Sequence, residues 1–220
     1  MNFPLCPRFQ AVLFDMDGTL LDTLSDMQDA VNHILLENGW PQRTLEEIRA
    51  FVGNGAAKLM ERAIPEPIAP QRFYEILASY KDWYQAHNCV KTAPYPGIPE
   101  VLAELEKMGV KTAVVSNKPD ATTKALAEKF FPGMPALGQR DSVDPKPSPA
   151  LVAQALSDLG VRPENAVYVG DSEVDVATAR NAELPLIAVS WGFRGREKLE
   201  IAGAEHIADT APQLLEMLCR

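Results

Sequence analysis

Ala11-Val12-Leu13-Phe14-Asp15-Met16-Asp17-Gly18-Thr19 decides how the chain is read: four apolar residues run straight into two carboxylates and a glycine. A short, unbroken apolar run suits a strand buried on both faces of a parallel sheet. Side chains two apart on a strand point to the same side. Asp15 and Asp17 can therefore face one pocket at the strand's C-terminal end, where open α/β sheets bind ligands. Gly18 lets the backbone turn sharply and present free amide N–H groups to an anion. The plain alternative is a surface Asp-Gly turn in which Asp17 only bonds its own backbone.

Working outward, three further apolar runs occupy residues 111–115, 166–169 and 185–189. Helical patterns separate them, over residues 99–108, 119–130 and 148–160, with a fourth after Ser172. Ser148 reads as the N-cap of the third, Pro149 as its first turn and Gly160 as its stop. Strands alternating with helices predict an α/β doubly wound parallel sheet. Residues 22–89 break that rhythm with helical patterns at 24–38, 44–50, 56–63 and 70–86 and no buried strand. The expected organisation is a core of residues 1–21 and 90–220 with a helical cap, 22–89, inserted after the first strand. The hinges fall near residues 20–23 and 90–96.

The ends of the later strands carry the chemistry. Gly170-Asp171-Ser172-Glu173-Val174-Asp175 again places carboxylates where an apolar run stops. In a parallel sheet Asp15, Asp17, Asp171 and Asp175 converge at one edge. Two unit charges ~4 Å apart repel by roughly 4 kcal/mol at an effective dielectric of 20, so such a cluster calls for a cation, and an all-oxygen site suits Mg²⁺. Ser116 and Asn117 follow the second strand, where hydroxyl, amide and backbone donors suit phosphate oxygens. Lys146 lies between Pro145 and Pro147, which restrict the backbone that carries it. A nucleophilic carboxylate, a second acid, a divalent cation and a pinned lysine make a phosphoryl-transfer site.

Composition limits the partners. At 220 residues the chain can bury a core without metal or disulfide staples. A net charge of -9 argues against nucleic acid and anionic membranes as partners. A divalent cation would let an anionic phosphate approach the carboxylates despite that field. Cys6, Cys89 and Cys219 are too few and too scattered for a disulfide framework or a metal site, and read as idle thiols. The first residues lack a signal-peptide pattern and no apolar run approaches the ~18 residues of a membrane span, so the expected location is the cytoplasm. His33, His87 and His206 lack metal-ligand spacing, and Trp40, Trp83 and Trp191 read as packing residues.

The set Asp15-Met16-Asp17-Gly18-Thr19, Ser116, Lys146 and Gly170-Asp171-Ser172-x-x-Asp175 resembles, in order and spacing, the four motifs of the haloacid dehalogenase-like hydrolases. Within them the chain is most similar to phosphoglycolate phosphatases, through the segment from Asp15 to Thr23, the segment from Phe51 to Arg62 and Trp191-Gly192-Phe193-Arg194. The resemblance implies a Rossmann-like core with a helical cap. It implies Asp15 as nucleophile and Asp17 as general acid/base. It implies Mg²⁺ held by Asp15, the Asp17 carbonyl and Asp171, with Asp175 in support, and phosphoryl binding by Ser116 and Lys146, beside which the donors of Asn117 and Gly18 are expected from their own chemistry to bind phosphate. The second Asp of the first motif favours a phosphatase over a dehalogenase. The expected partner is a small phosphorylated metabolite, most simply 2-phosphoglycolate, handled by a monomer or homodimer. The cap loop Gly53-Asn54-Gly55, with Lys58 and Arg62 after it, is expected to read a substrate carboxylate. The rival readings are a sugar phosphomutase, a pyrophosphatase or nucleotidase of the same superfamily, a non-catalytic binding protein on the same fold, and, from another class, a phospho-accepting receiver domain. An acid two residues beyond the nucleophile, the insertion and the length count against the last.

Overall fold

A computed structural model of the chain describes residues 7–219. Cys6 and the start of the N-terminal segment lie outside the described residues. The chain divides into two compact units, residues 1–21 with 94–220, and residues 22–93. The second crossing falls after Ala93, later than the sequence-based boundary at 89/90.

The first unit holds a six-stranded sheet built from β1 (Ala11–Phe14), β4 (Lys111–Pro119), β5 (Ala136–Gln139), β6 (Ala166–Gly170), β7 (Leu186–Val189) and β8 (Ile207–Ala208). Its order is β5-β4-β1-β6-β7-β8 and every pairing is parallel. Each residue of β1 and β6 is buried, as the unbroken apolar runs require when helices cover both faces. Ala11 and Leu13 pack with Ala113, Val115, Ala166 and Tyr168 beneath α7 (Ala150–Leu159), through Leu151, Val152 and Ala155. The other helices of this unit are α5 (Ile98–Lys107), α6 (Asp120–Phe130), α8 (Glu173–Asn181), α9 (Gly195–Ile201) and α10 (Ala211–Leu218).

The register brings the functional ends together. Phe14 stands opposite Val114 on one side and Val169 on the other, so Asp15, Ser116 and Asp171 leave the sheet at nearly one level. β1, between β4 and β6, is where the strand order reverses, the position at which such sheets open a crevice.

Three details differ from expectation. The strand expected at 111–115 continues to Pro119, carrying Ser116, Asn117 and Lys118 within it, and α6 starts only at Asp120. The N-cap of α7 is Pro149, not Ser148; the Ser148 hydroxyl instead accepts from Ala150 N at 3.4 Å. Gly160 does end that helix, in the left-handed conformation.

The second unit contains α1 (Leu24–Glu37), α2 (Leu45–Phe51), α3 (Gly55–Ala63) and α4 (Pro70–His87). Leu24, Met27, Val31, Ile34 and Leu35 form the buried stripe of α1 at three- and four-residue spacing. Thr44 and Glu47 cap the start of α2 reciprocally. Buried Asp26 accepts from Lys91 N and from Thr92 N and Oγ1, which ties α1 to the end of the insertion. The short strands β2 (Leu21–Asp22) and β3 (Ala93–Pro94), at the two crossings, pair with each other. No helix among the described residues is long and apolar enough to cross a membrane.

Candidate active site

Asp15 continues the line of β1: its N–H donates to Val169 O at 2.8 Å, which fixes the backbone against β6. Its Oδ1 accepts from Met16 N at 2.7 Å and pairs with Lys146 Nζ at 2.9 Å. Lys146, with 2% of its side chain exposed, also donates to Asp175 Oδ1 at 2.8 Å and Tyr168 OH at 3.0 Å. Three oxygens thus take the three ammonium protons and hold Lys146 between two acids. Its backbone is held by Asn117: Lys146 N donates to Asn117 Oδ1 at 2.7 Å and Asn117 Nδ2 donates to Lys146 O at 3.0 Å.

Asp175 is the first-turn acid of α8. Its Oδ2 accepts from Ser172 N at 3.1 Å and Ser172 Oγ at 2.6 Å, while Oδ1 accepts from Lys146 and from Tyr168 OH at 3.2 Å. Four donors occupy the roughly four lone-pair sites of a carboxylate. Asp171, on the short link between β6 and α8, is more sparsely served. Phe193 N donates to its Oδ2 at 2.6 Å, and Thr19 Oγ1 reaches Oδ1 at 3.4 Å.

One oxygen each from Asp15, Asp171 and Asp175 lies within 4.8 Å of the others, and all three residues are buried. Burial first, then the Asp175 and Asp17 charges, push the Asp15 carboxyl from 3.8 up to about 7, against the pull of Lys146. Burial and the charges of Asp175 and Asp15 raise Asp171 well above the carboxylate range, with partial relief from Phe193 N–H and Arg194. Burial works against the Lys146 ammonium, but the charges of Asp15 and Asp175 outweigh it and raise its pKa well above an ordinary lysine's. The arrangement is short of positive charge and rich in oxygen donors. It fits a hard divalent cation such as Mg²⁺.

Space around Asp171 is set by glycines. A Cβ at Gly18 or Gly192 would collide with the Asp171 carboxylate, and one at Gly192 also with Gly18 O. Gly18 does not offer the free amide expected of it, because its N–H donates to Leu21 O at 2.9 Å in closing the turn. Its contribution is room for Asp171.

Asp17 stands apart from the other three acids. Both its oxygens accept from Lys118 Nζ, each at 3.0 Å. Ser116 Oγ accepts from Lys118 N at 3.2 Å, which leaves the hydroxyl proton to donate elsewhere. Sequence reasoning missed Lys118 and Tyr168. The first follows Ser116-Asn117 like any loop lysine, and the second sits in an apolar run and reads as core. A signal for Lys118 was its place just before Pro119, at the end of a strand longer than the apolar run marks.

In the second unit, Gly53 and Gly55 have positive φ, 115° and 84°, and Asn54 precedes the first turn of α3. Arg62 is committed to this loop, donating to Phe51 O at 2.6 Å and Asn54 Oδ1 at 2.9 Å. Lys58 pairs with Glu61.

Comparison with known proteins agrees with this geometry. The family profile of haloacid dehalogenase-like hydrolases matches residues 12–189. Over 214 residues the chain is 32% identical to a phosphoglycolate phosphatase of Pseudomonas putida, covering 93% of this chain and 78% of that one. It is 32% identical over 217 residues to N-acetylmuramic acid 6-phosphate phosphatase of Pseudomonas aeruginosa, covering 97% and 96%. Among solved structures, a Lactobacillus delbrueckii subsp. bulgaricus protein provisionally named a phosphoglycolate phosphatase is 37% identical with a TM-score of 0.90, covering 96% and 99%.

Proposed function

The chain belongs to the haloacid dehalogenase-like hydrolases and is a phosphoric monoester hydrolase; from that premise we propose that it cleaves a phosphorylated carboxylic acid, 2-phosphoglycolate first, through phosphorylation of Asp15. The observation that carries this reading is the seat of Lys146, 2.9 Å from Asp15 and fixed from behind by Asp175 and Tyr168. A cation held there faces the nucleophile and would offset the charge on the oxygens of the phosphoryl group whose phosphorus Asp15 attacks.

In the first step an Asp15 carboxylate oxygen attacks phosphorus, the ester P–O bond breaks, and the leaving oxygen takes a proton from Asp17. In the second, water gives a proton back to Asp17 as its oxygen attacks phosphorus. Asp15 then leaves as a carboxylate and inorganic phosphate is released. Ser116 donates its hydroxyl proton to a phosphoryl oxygen. Asn117 contributes through the Lys146 backbone it holds. Asp15, the Asp17 carbonyl and Asp171 would hold Mg²⁺, which when bound supplies positive charge against the phosphoryl oxygens. Asp175, its four lone-pair sites taken by protein donors, anchors Lys146 in preference to binding the metal.

The relatives named above support the substrate class, because phosphoglycolate and N-acetylmuramic acid 6-phosphate are both phosphate esters of carboxylic acids. The loop at Gly53, Asn54 and Gly55 is proposed to read the carboxylate. The test is phosphate release with Mg²⁺ from 2-phosphoglycolate, N-acetylmuramic acid 6-phosphate, glycerol 3-phosphate and pyrophosphate. The highest kcat/KM is expected for 2-phosphoglycolate, with Gly53→Ala and Gly55→Ala lowering it more for the two acids than for glycerol 3-phosphate. Preference for pyrophosphate, or isomerisation of a sugar phosphate without release, would overturn the reading.

A further inference from the structure

The Asp17 carboxylate faces an ammonium that the reading above leaves without a task. Lys118 has only 3% of its side chain exposed, and its Nζ lies 3.0 Å from both Asp17 oxygens. A lysine kept out of water needs a compensating partner, and a contact to both oxygens of one carboxylate fixes that carboxylate's direction as well as its charge. The lysine is itself fixed at its root, because its N–H donates to Ser116 Oγ and its carbonyl accepts from Thr123 Oγ1 at 3.1 Å. Lys118 and Ser116 are thus joined at the end of β4, and the Lys118 side chain reaches from there to Asp17.

We propose that Lys118 is a positioning residue for proton transfer: it holds Asp17 turned from the Asp15–Asp171–Asp175 cluster and aimed at the leaving-group oxygen. The inference rests on Asp17 being the proton carrier. Without the lysine, the Asp17 carboxyl group would turn freely and the ester oxygen would lose its aligned proton donor. Lys118 touches no reacting atom; it acts through Asp17.

The experiment compares Lys118→Met, Lys118→Arg, Asp17→Asn and the double variant Asp17→Asn/Lys118→Met in the full chain with Mg²⁺. Glycerol 3-phosphate serves as an ester with a poor leaving group and p-nitrophenyl phosphate as one with a good leaving group. Lys118→Met is expected to lower kcat about 30-fold on the first and about threefold on the second with KM nearly unchanged, since positioned acid catalysis contributes roughly 10²–10⁴. Lys118→Arg should restore part of the loss, and the double variant should be no slower than Asp17→Asn alone. If Lys118→Met does not fold, Lys118→Gln takes its place, with the same selective loss expected. Equal losses on both esters, a loss confined to KM, or additive losses in the double variant would overturn the proposal. If Asp17→Asn shows the leaving-group dependence and the Lys118 variants do not, only the role of Lys118 falls. If Asp17→Asn also lacks it, the assignment of Asp17 falls and this inference with it.

Discussion

Asp171 stands in close quarters, wedged where Gly18 and Gly192 leave no room for a side chain of their own. Gly192→Ala should therefore push Asp171 off its seat and raise the Mg²⁺ concentration for half-maximal activity about tenfold or more, equivalent to ~1.4 kcal/mol. Mg²⁺ titration of activity and of thermal unfolding checks this. Asp15 makes a second prediction about charge. Its carboxyl is raised from 3.8 to about 7 by burial and neighbouring acids, so ionising it works against the metal-free fold. That contribution to stability is complete below about pH 4 and is lost as the pH rises through about 7. In excess chelator the unfolding midpoint should fall across this window, and saturating Mg²⁺ should flatten the fall. Asp171→Asn removes a buried charge that the metal-free fold disfavours. In chelator at pH 8 it should unfold at a higher temperature than the unmodified protein, and it should lose the Mg²⁺-dependent rise.

At the scale of elements, the start of α8 does two jobs. Ser172 and Asp175 cap the helix reciprocally, and the same Asp175 carboxylate holds Lys146 against Asp15. Ser172→Ala should cost about 1 kcal/mol of stability, or roughly 2–4 °C in a chain of this size. It should also lower kcat roughly tenfold by loosening Lys146, since small displacements of catalytic groups are costly. Calorimetry and steady-state kinetics separate the two effects. The elements legible in the sequence are those whose pattern is strong. β1 and β6 are unbroken apolar runs, and the four helices of the second unit carry clear periodicity, ending within a residue or so of their expected bounds. β5 escaped because Ala136-Leu137-Gly138-Gln139 lies in a Pro- and Gly-rich stretch and lacks β-branched residues. β8 has two residues and no pattern to detect. At the site, Asp15, Asp17, Ser116 and Asp171 stood out because they follow apolar runs, Asp175 because it lies in the first turn of a helix, and Lys146 because prolines flank it. Tyr168 and Lys118 were not, because their tasks depend on partners across the sheet, 22 and 101 residues away in sequence.

For the whole molecule, parallel strands gather the site from separated segments of chain and leave four carboxylates facing two buried lysines. With all four acids ionised, two negative charges are left over, which one divalent cation would neutralise, and such an ion would ease the approach of an anionic ester to a chain of net charge -9. The central claim is that Asp15 carries the phosphoryl group between ester and water. It is tested most directly by acid-quenching the Asp17→Asn variant milliseconds after mixing with Mg²⁺ and p-nitrophenyl phosphate, then mapping phosphorylated peptides by mass. Slowed second-step hydrolysis should let one phosphoryl group per chain accumulate on Asp15, reducible by borohydride and absent when Asp15→Asn is added to the variant. Phosphate release with no phosphoryl group on the protein, or one mapped to any other residue, would contradict the account.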